Sequence, residues 1–234
     1  MSYVAESIAK LLREWALEQG IEFEEVGEDT LPDEIVESPS GFVPQLAVHR
    51  VFDKVRSEAE EKPIGLIFGA SFKVERLGLA TRIACHSRRL RKAVQVYMEY
   101  QELAHPDVAR HELDEEAGTD ALVVSGSEDP LVASTREPRV TFGFALALNW
   151  IRELVDDPSV DARAVHFVHQ NEQFKQTYEE FFGAPVELGC EESRLVFDRE
   201  VFDREVVKAD LETRPYLEGL AQMQGGQLHE FAEE

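Results

Sequence analysis

The chain has 234 residues, 43% of them hydrophobic, which is enough for a real core and rules out a wholly disordered chain. It carries 47 acids against 24 bases, a net charge of −23, and such a surface repels a phosphate backbone, so direct nucleic-acid contact is not expected. No apolar run approaches the roughly 18 residues needed to cross a bilayer, no signal peptide opens the chain, and two cysteines are too few for a disulfide framework.

In chain order, Tyr3 to Gln19 carries Val4, Ile8, Leu11, Leu12 and Trp15 at helical spacing, with Gly20 as its stop. Glu22 to Glu37 holds eight acids and no base and reads as an acidic loop. Pro44 opens a second helix to about Glu61, with Leu46, Val48, Val51, Phe52 and Val55 turned inward. Ile64 to Ala84 is apolar and glycine-bearing, which predicts two short buried helices. No strand precedes Gly65 and Gly69, and neither a GxGxxG pattern nor a Walker lysine is present. Close helix packing accounts for these glycines better than a nucleotide loop does.

Ser87 is placed to cap a helix from Arg88 to Leu103 whose inner face holds Leu90, Val94, Tyr97, Met98 and Gln101. Lys73 to Lys92 contains seven bases and one acid, the basic island of an acidic chain. Bases at a helix N-terminus oppose its dipole, so Arg88, Arg89, Arg91 and Lys92 are a candidate interaction surface. Val108 to Glu116 and Ala121 to Ser127 read as paired strands, with a turn at Ala117 to Asp120 and a loop from Ser125 to Arg139. Thr141 to Val155 is apolar nearly all round and should be a buried helix, with Asn149 needing a partner.

Val165, Phe167 and His169 alternate with His166 and Val168 as in a strand. A helix follows to Phe181-Phe182, stopped by Gly183, and two short strands lie at Val186 to Leu188 and Leu195 to Phe197. A last helix spans Glu212 to Gln222, ended by Gly225-Gly226 and followed by a tail. The doubled pentapeptide VFDRE at Val196 and Val201 has a period of neither strand nor helix and is no solenoid repeat.

No nucleophile elbow, zinc-helix or redox-cysteine pattern is present, so an enzyme is not expected. His166 and His169, odd and even on a strand, face opposite sides and cannot share a metal ion. No cofactor is expected, although a single axial histidine for haem leaves no signature. The candidate ligand-binding residues are Tyr97, Tyr100, Asn149, Trp150, His166 and His169, polar groups within an apolar interior.

From about Ile8 to Ala221 the chain resembles the N-terminal effector-sensing domain, arabinose-binding type, of AraC-type transcription regulators. The resemblance rests on GLIFGASF (Gly65 to Phe72), VHFVH, FFGAPVELG and LVFDREVFDR. The matching positions are His169, Phe181-Phe182-Gly183, Pro185-Val186 and Val196-Phe197-Asp198. Gln170 stands where the family has a proline, and Ser193-Arg194 where it has an asparagine-like position. The resemblance implies an α+β regulatory domain with a small, mainly antiparallel sheet. A helical part, 1–104, packs on an α/β part, 105–223, followed by a flexible tail, 224–234. It also implies a small-molecule effector, a homodimer and a role in transcriptional control. The family continues into a helix-turn-helix domain, but no basic recognition helix is found in this sequence, so none is expected in it, and the two lone cysteines make the cytoplasm the default compartment. The ligand is expected near the Thr141–Val155 helix and the Val165–His169 strand. The alternatives are a stand-alone protein-interaction module or a haem or gas sensor.

Overall fold

The computed structural model describes residues 3–18, 20–21, 42–59, 61–72, 78–101, 109–124 and 135–233. The acidic strip Glu22–Glu37 and Lys73 and Arg76 of the basic island lie outside them. The fold is α+β. A first hairpin pairs β1 (Tyr3–Ala5) with β2 (Phe42–Pro44), each leading into a helix, α1 (Glu6–Glu18) and α2 (Gln45–Glu58). Pro44 therefore ends a strand, opposite Tyr3, rather than opening the helix. Next come α3 (Ile64–Ser71), α4 (Leu79–Cys85) and α5 (Leu90–Tyr100). The hairpin β3 (Ala109–Asp114) and β4 (Thr119–Val124) leads to the long α6 (Arg136–Leu154). The remainder is β5 (Ala164–Phe167), α7 (Lys175–Phe182), β6 (Val186–Leu188), β7 (Ser193–Asp198), the single turn α8 (Arg199–Phe202) and α9 (Arg214–Glu233).

The five-stranded sheet has the order β3-β4-β7-β5-β6, antiparallel except for β5 beside β6. Alternation decides its faces. Val165 and Phe167 of β5 and Ser193, Leu195 and Phe197 of β7 are buried, while His166, Arg194 and Val196 point the other way. Gly183 ends α7 with φ 64°, a conformation that favours glycine, and a Cβ there would also push aside the Asp161 carboxylate. Both copies of VFDRE deliver a phenylalanine to one core. Phe197 and Phe202 are fully buried with ring centroids 5.8 Å apart.

Among the described residues, α3 lies flush on α6. A Cβ added at Gly65 would lie 2.0 Å from Pro138 O, and one at Gly69 2.6 Å from Phe142 O. The two glycines, one turn apart, let the backbones touch. Phe68, between them in sequence, stacks on Phe142 at 4.7 Å and meets Trp15 at 5.1 Å, so α1, α3 and α6 share one aromatic cluster. Asn149, the amide in α6 that needed a partner, donates Nδ2 to Ala70 O at 3.2 Å.

Several boundaries differ from those read in the sequence. Arg136 to Arg139 are helical, because Pro138 in the first turn of α6 gives up an N–H that has no intrahelical acceptor there. Ser87 is not a cap: it precedes the Arg89 boundary of α5, and its buried hydroxyl has no hydrogen bond. Thr119 and Asp120 belong to β4, so the turn is Glu115–Gly118. The last helix continues through Gly225-Gly226 to Glu233.

The glycine contact makes a stability prediction. Gly69→Ala should cost about 1–3 kcal/mol, because a methyl is forced against α6 backbone. Gly143→Ala, whose Cβ meets nothing within 4 Å, should be neutral or gain up to about 1 kcal/mol of helix propensity. Urea unfolding of the two variants checks the contrast.

Candidate functional site

One face of α6 packs on α3. On another face a stripe of Arg139, Val140, Gly143, Phe144, Ala147 and Trp150 recurs every three or four residues and faces a cavity of about 80 Å³. The opposite wall is α5, through Val94, Tyr97, Met98 and Gln101. Ala109 of β3 with Leu122 and Val124 of β4 form the floor, and Thr81 of α4 completes the lining. The space is small beside the about 150 Å³ that holds benzene in an engineered apolar core. A larger ligand therefore requires these side chains to repack, and Met98 is the adaptable one.

Besides the Trp150 indole, the lining is apolar apart from four groups. Gln101 is spent on structure: its Nε2 donates to Met98 O at 3.0 Å and its Oε1 accepts from Ala109 N at 2.9 Å, tying the end of α5 to β3. Thr81 is 2% exposed and its hydroxyl has no hydrogen-bond partner. Arg139 is 2% exposed, and its Nε donates to Thr135 Oγ1 at 3.0 Å. The Tyr97 ring is half-buried by area and lies 5.6 Å from Trp150, but its hydroxyl is enclosed, and burial pushes the phenol up to about 12.

Of the six residues expected to bind ligand, the cavity takes two, Tyr97 and Trp150. Tyr100 turns toward α9, where burial and then the Glu218 carboxylate push its phenol up. Asn149 is bonded to α3. His166 lies on the outer face of the sheet, in an open acidic groove with Glu112, Glu115, Glu116 and Arg194, its Nε2 3.9 Å from Glu187. His169 stacks on Phe167 at 4.7 Å and meets Tyr178 edge-on at 6.0 Å, with both ring nitrogens buried and unbonded. No residue of β5 lines the cavity, which sits instead between α5, α6 and the β3–β4 hairpin.

The basic island is partly internal. Arg91 bonds the fully buried Asp120 of β4, also reaches Asp203 Oδ1 at 3.0 Å, and lies over the Phe202 ring. His111 Nε2 is 2.7 Å from the same Asp120 oxygen, and its ring stacks on Phe202 at 5.2 Å. Arg89 donates to Asp203 O at 2.6 Å, while Arg88 and Lys92 are exposed. These bonds answer the puzzle of bases at a helix N-terminus. Asp120 attracts Arg91 and pins the start of α5 to the strand that floors the cavity.

Around the start of α6, Glu137 accepts from Tyr178 OH at 3.1 Å and from Asn171 Nδ2 at 3.0 Å. Burial first, then that carboxylate, keep the Tyr178 phenol protonated. Among the described residues no group of three or more His, Cys, Asp or Glu is placed to hold a metal ion, and no helix is long and apolar enough to cross a membrane.

Sequence reasoning missed Thr81, Arg139 and Gly143. The signal for Arg139 was present: the 3.6-residue stripe of the α6 helix extends one turn back through Pro138.

Comparison with known proteins adds a family and a fold. The family model described as the arabinose-binding domain of AraC transcription regulator, N-terminal, matches residues 23–206. The crystal structure of the transcriptional regulator CdpR from Pseudomonas aeruginosa superposes with a TM-score of 0.66 at 14% identity. The match covers 95% of this chain and 64% of that one. No curated protein matches.

His169 makes a pH prediction. Burial lowers its pKa, opposed by the nearby Glu137 charge, so the folded state favours the neutral ring. The unfolded chain takes up a proton near the ordinary value of 6.5, so this contribution to stability is present above that pH and is lost as the pH falls below it. In His169→Phe the loss of urea stability between pH 7 and 5.5 should be smaller than in the parent; an unchanged loss refutes this origin.

Proposed function

The chain belongs to the family of N-terminal arabinose-binding-type domains of AraC transcription regulators, and from that premise we propose that it is a sensor whose small-molecule effector enters the cavity between α5, α6 and the β3–β4 hairpin. The observation that carries the site is a partly open, mostly apolar space with a few polar groups, lined by one face of the long helix α6. The chain has no catalytic role in this reading, and its net charge of −23 supports a role that needs no DNA contact by these residues.

Regulation requires that ligand favour one arrangement over another. The connection runs through α4. Thr81 on that helix lines the cavity. α9 packs on the same helix and buries its Leu217 and Ala221, and Asp210 N donates to His86 Nδ1 at the end of α4. A ligand that shifts α4 therefore acts on α9. The far side of α9 exposes Tyr216, Leu220 and Met223, at 78%, 48% and 62%, one apolar stripe at helical spacing. That stripe supports a homodimer built on α9.

Two experiments test the reading. In a thermal-shift screen against metabolites, true effectors should raise Tm for the parent and leave Gly143→Val, whose side chain occupies the cavity, unshifted. Stabilisation equal in both proteins places the ligand elsewhere, and stabilisation by no compound counts against effector binding. In sedimentation, the parent should be a dimer and Leu220→Glu a monomer with unchanged circular dichroism; a dimeric variant excludes this interface.

A further inference from the structure

The cavity between α5, α6 and the β3–β4 hairpin offers a ligand no uncommitted charge. Arg139 is the charged residue of its lining, and it is engaged by partners of its own, Thr135 Oγ1 at 3.0 Å among them. The Tyr97 phenol stays protonated, because burial pushes it up to about 12. Among the described residues no carboxylate lines the space. An anion or a cation would therefore be taken from water into an apolar site with no counter-charge to spare, a cost that selects against both.

Two neutral polar groups in the wall are unmet. Thr81 Oγ1 and Trp150 Nε1 are buried without a hydrogen bond, in side chains that are 2% and 5% exposed. They belong to the same end of the cavity. Thr81 and Cys85 are four apart on α4, which makes their side chains neighbours on one face. The Cys85 thiol in turn lies beside the Trp150 indole. Sulfur is a weak acceptor, and the indole N–H makes no hydrogen bond of normal geometry to it. Gln101, the remaining polar group, spends both ends of its amide on Met98 and Ala109.

An indole N–H can only donate, and a hydroxyl can donate as well. What the two can share is an acceptor oxygen with two lone pairs. A carbonyl is such an oxygen and brings no donor that would itself go unmet, whereas an ammonium brings three. Each buried group that gains a partner loses a standing cost. The space of about 80 Å³ is already filled by a single ring. We infer that the effector is an uncharged, ring-sized apolar molecule whose carbonyl oxygen is held between Trp150 Nε1 and the Thr81 hydroxyl. This rests on the cavity being the effector site, as proposed above. It gives the ligand a bond to α4, the helix on which α9 packs.

Cyclohexanone, methylenecyclohexane, cyclohexanecarboxylate and cyclohexylamine share one ring and test this on the whole chain. The two tryptophans, Trp15 and Trp150, give two indole N–H resonances in a nitrogen-correlated NMR spectrum, and Trp150→Phe assigns them. Cyclohexanone should move the Trp150 resonance downfield and leave that of Trp15 in place. Its Kd from this titration should rise about threefold to tenfold in Thr81→Val, a variant that keeps the side-chain shape and removes an unbonded hydroxyl. Methylenecyclohexane, the same shape without the oxygen, should bind the parent and Thr81→Val alike, and the carboxylate and the amine should not bind. Gly143→Val should abolish cyclohexanone binding. Cyclohexanone that binds without moving the Trp150 N–H, or equally in Thr81→Val, but is lost in Gly143→Val, overturns the carbonyl and leaves the cavity as the effector site. Carboxylate or amine that binds as tightly as the ketone and is lost in Gly143→Val overturns the neutral ligand and also leaves the cavity. No binding of cyclohexanone, with screen hits that depend on Gly143, does the same. Ketone binding undiminished in Gly143→Val overturns the cavity itself.

Discussion

The contact on which the rest depends is the backbone-to-backbone approach of α3 and α6. Gly65 and Gly69 remove the two side chains that would hold the helices apart, and a Cβ at either would penetrate Pro138, Thr141 or Phe142. Once α3 is flush on α6, the rotation of α6 is set. Phe142 stacks on Phe68, Asn149 reaches Ala70, and the stripe from Arg139 to Trp150 is presented toward α5 and the sheet. The cavity is the space left where that stripe, α5 and β4 meet without filling the volume. Asp120 fixes the other wall by drawing Arg91, at the start of α5, onto β4.

These constraints divide the molecule into a firm side and a side that can respond. The α3–α6 side is aromatic and tightly packed, and its helices have no room to slide. The α4–α5 side carries Thr81, Met98 and Tyr97 to the cavity, and α9 packs on its α4. A ligand larger than the present space must displace the second side, because the first cannot yield. In the proposed reading, that asymmetry carries a binding event to the exposed stripe of α9.

Much of this was legible in the sequence where one element decides the outcome. The alternation in β5 and β7, the Gly183 stop and the close packing announced by Gly65 and Gly69 were all read from local pattern, and the family followed from the residues around them. The site was harder. Tyr97 and Trp150 were identified as polar groups in apolar surroundings, but Asn149 and His166 fit that description equally and face α3 and the outer sheet. Which face of a helix meets which neighbour is fixed by tertiary packing, and residue type alone does not reveal it. Arg139 was hidden by Pro138, which suggests a loop although it opens a helix. Asp120 was hidden because its partners Arg91 and His111 come from two other elements.

The most direct test of the central claim is a crystal structure of the chain with a stabilising ligand from the thermal-shift screen. The account predicts electron density between α5 and α6, against Gly143 and Trp150, with α4 displaced relative to α3 and the α3–α6 contact unchanged. Ligand density in the outer groove beside His166, with the cavity between α5 and α6 as closed as before, would contradict it.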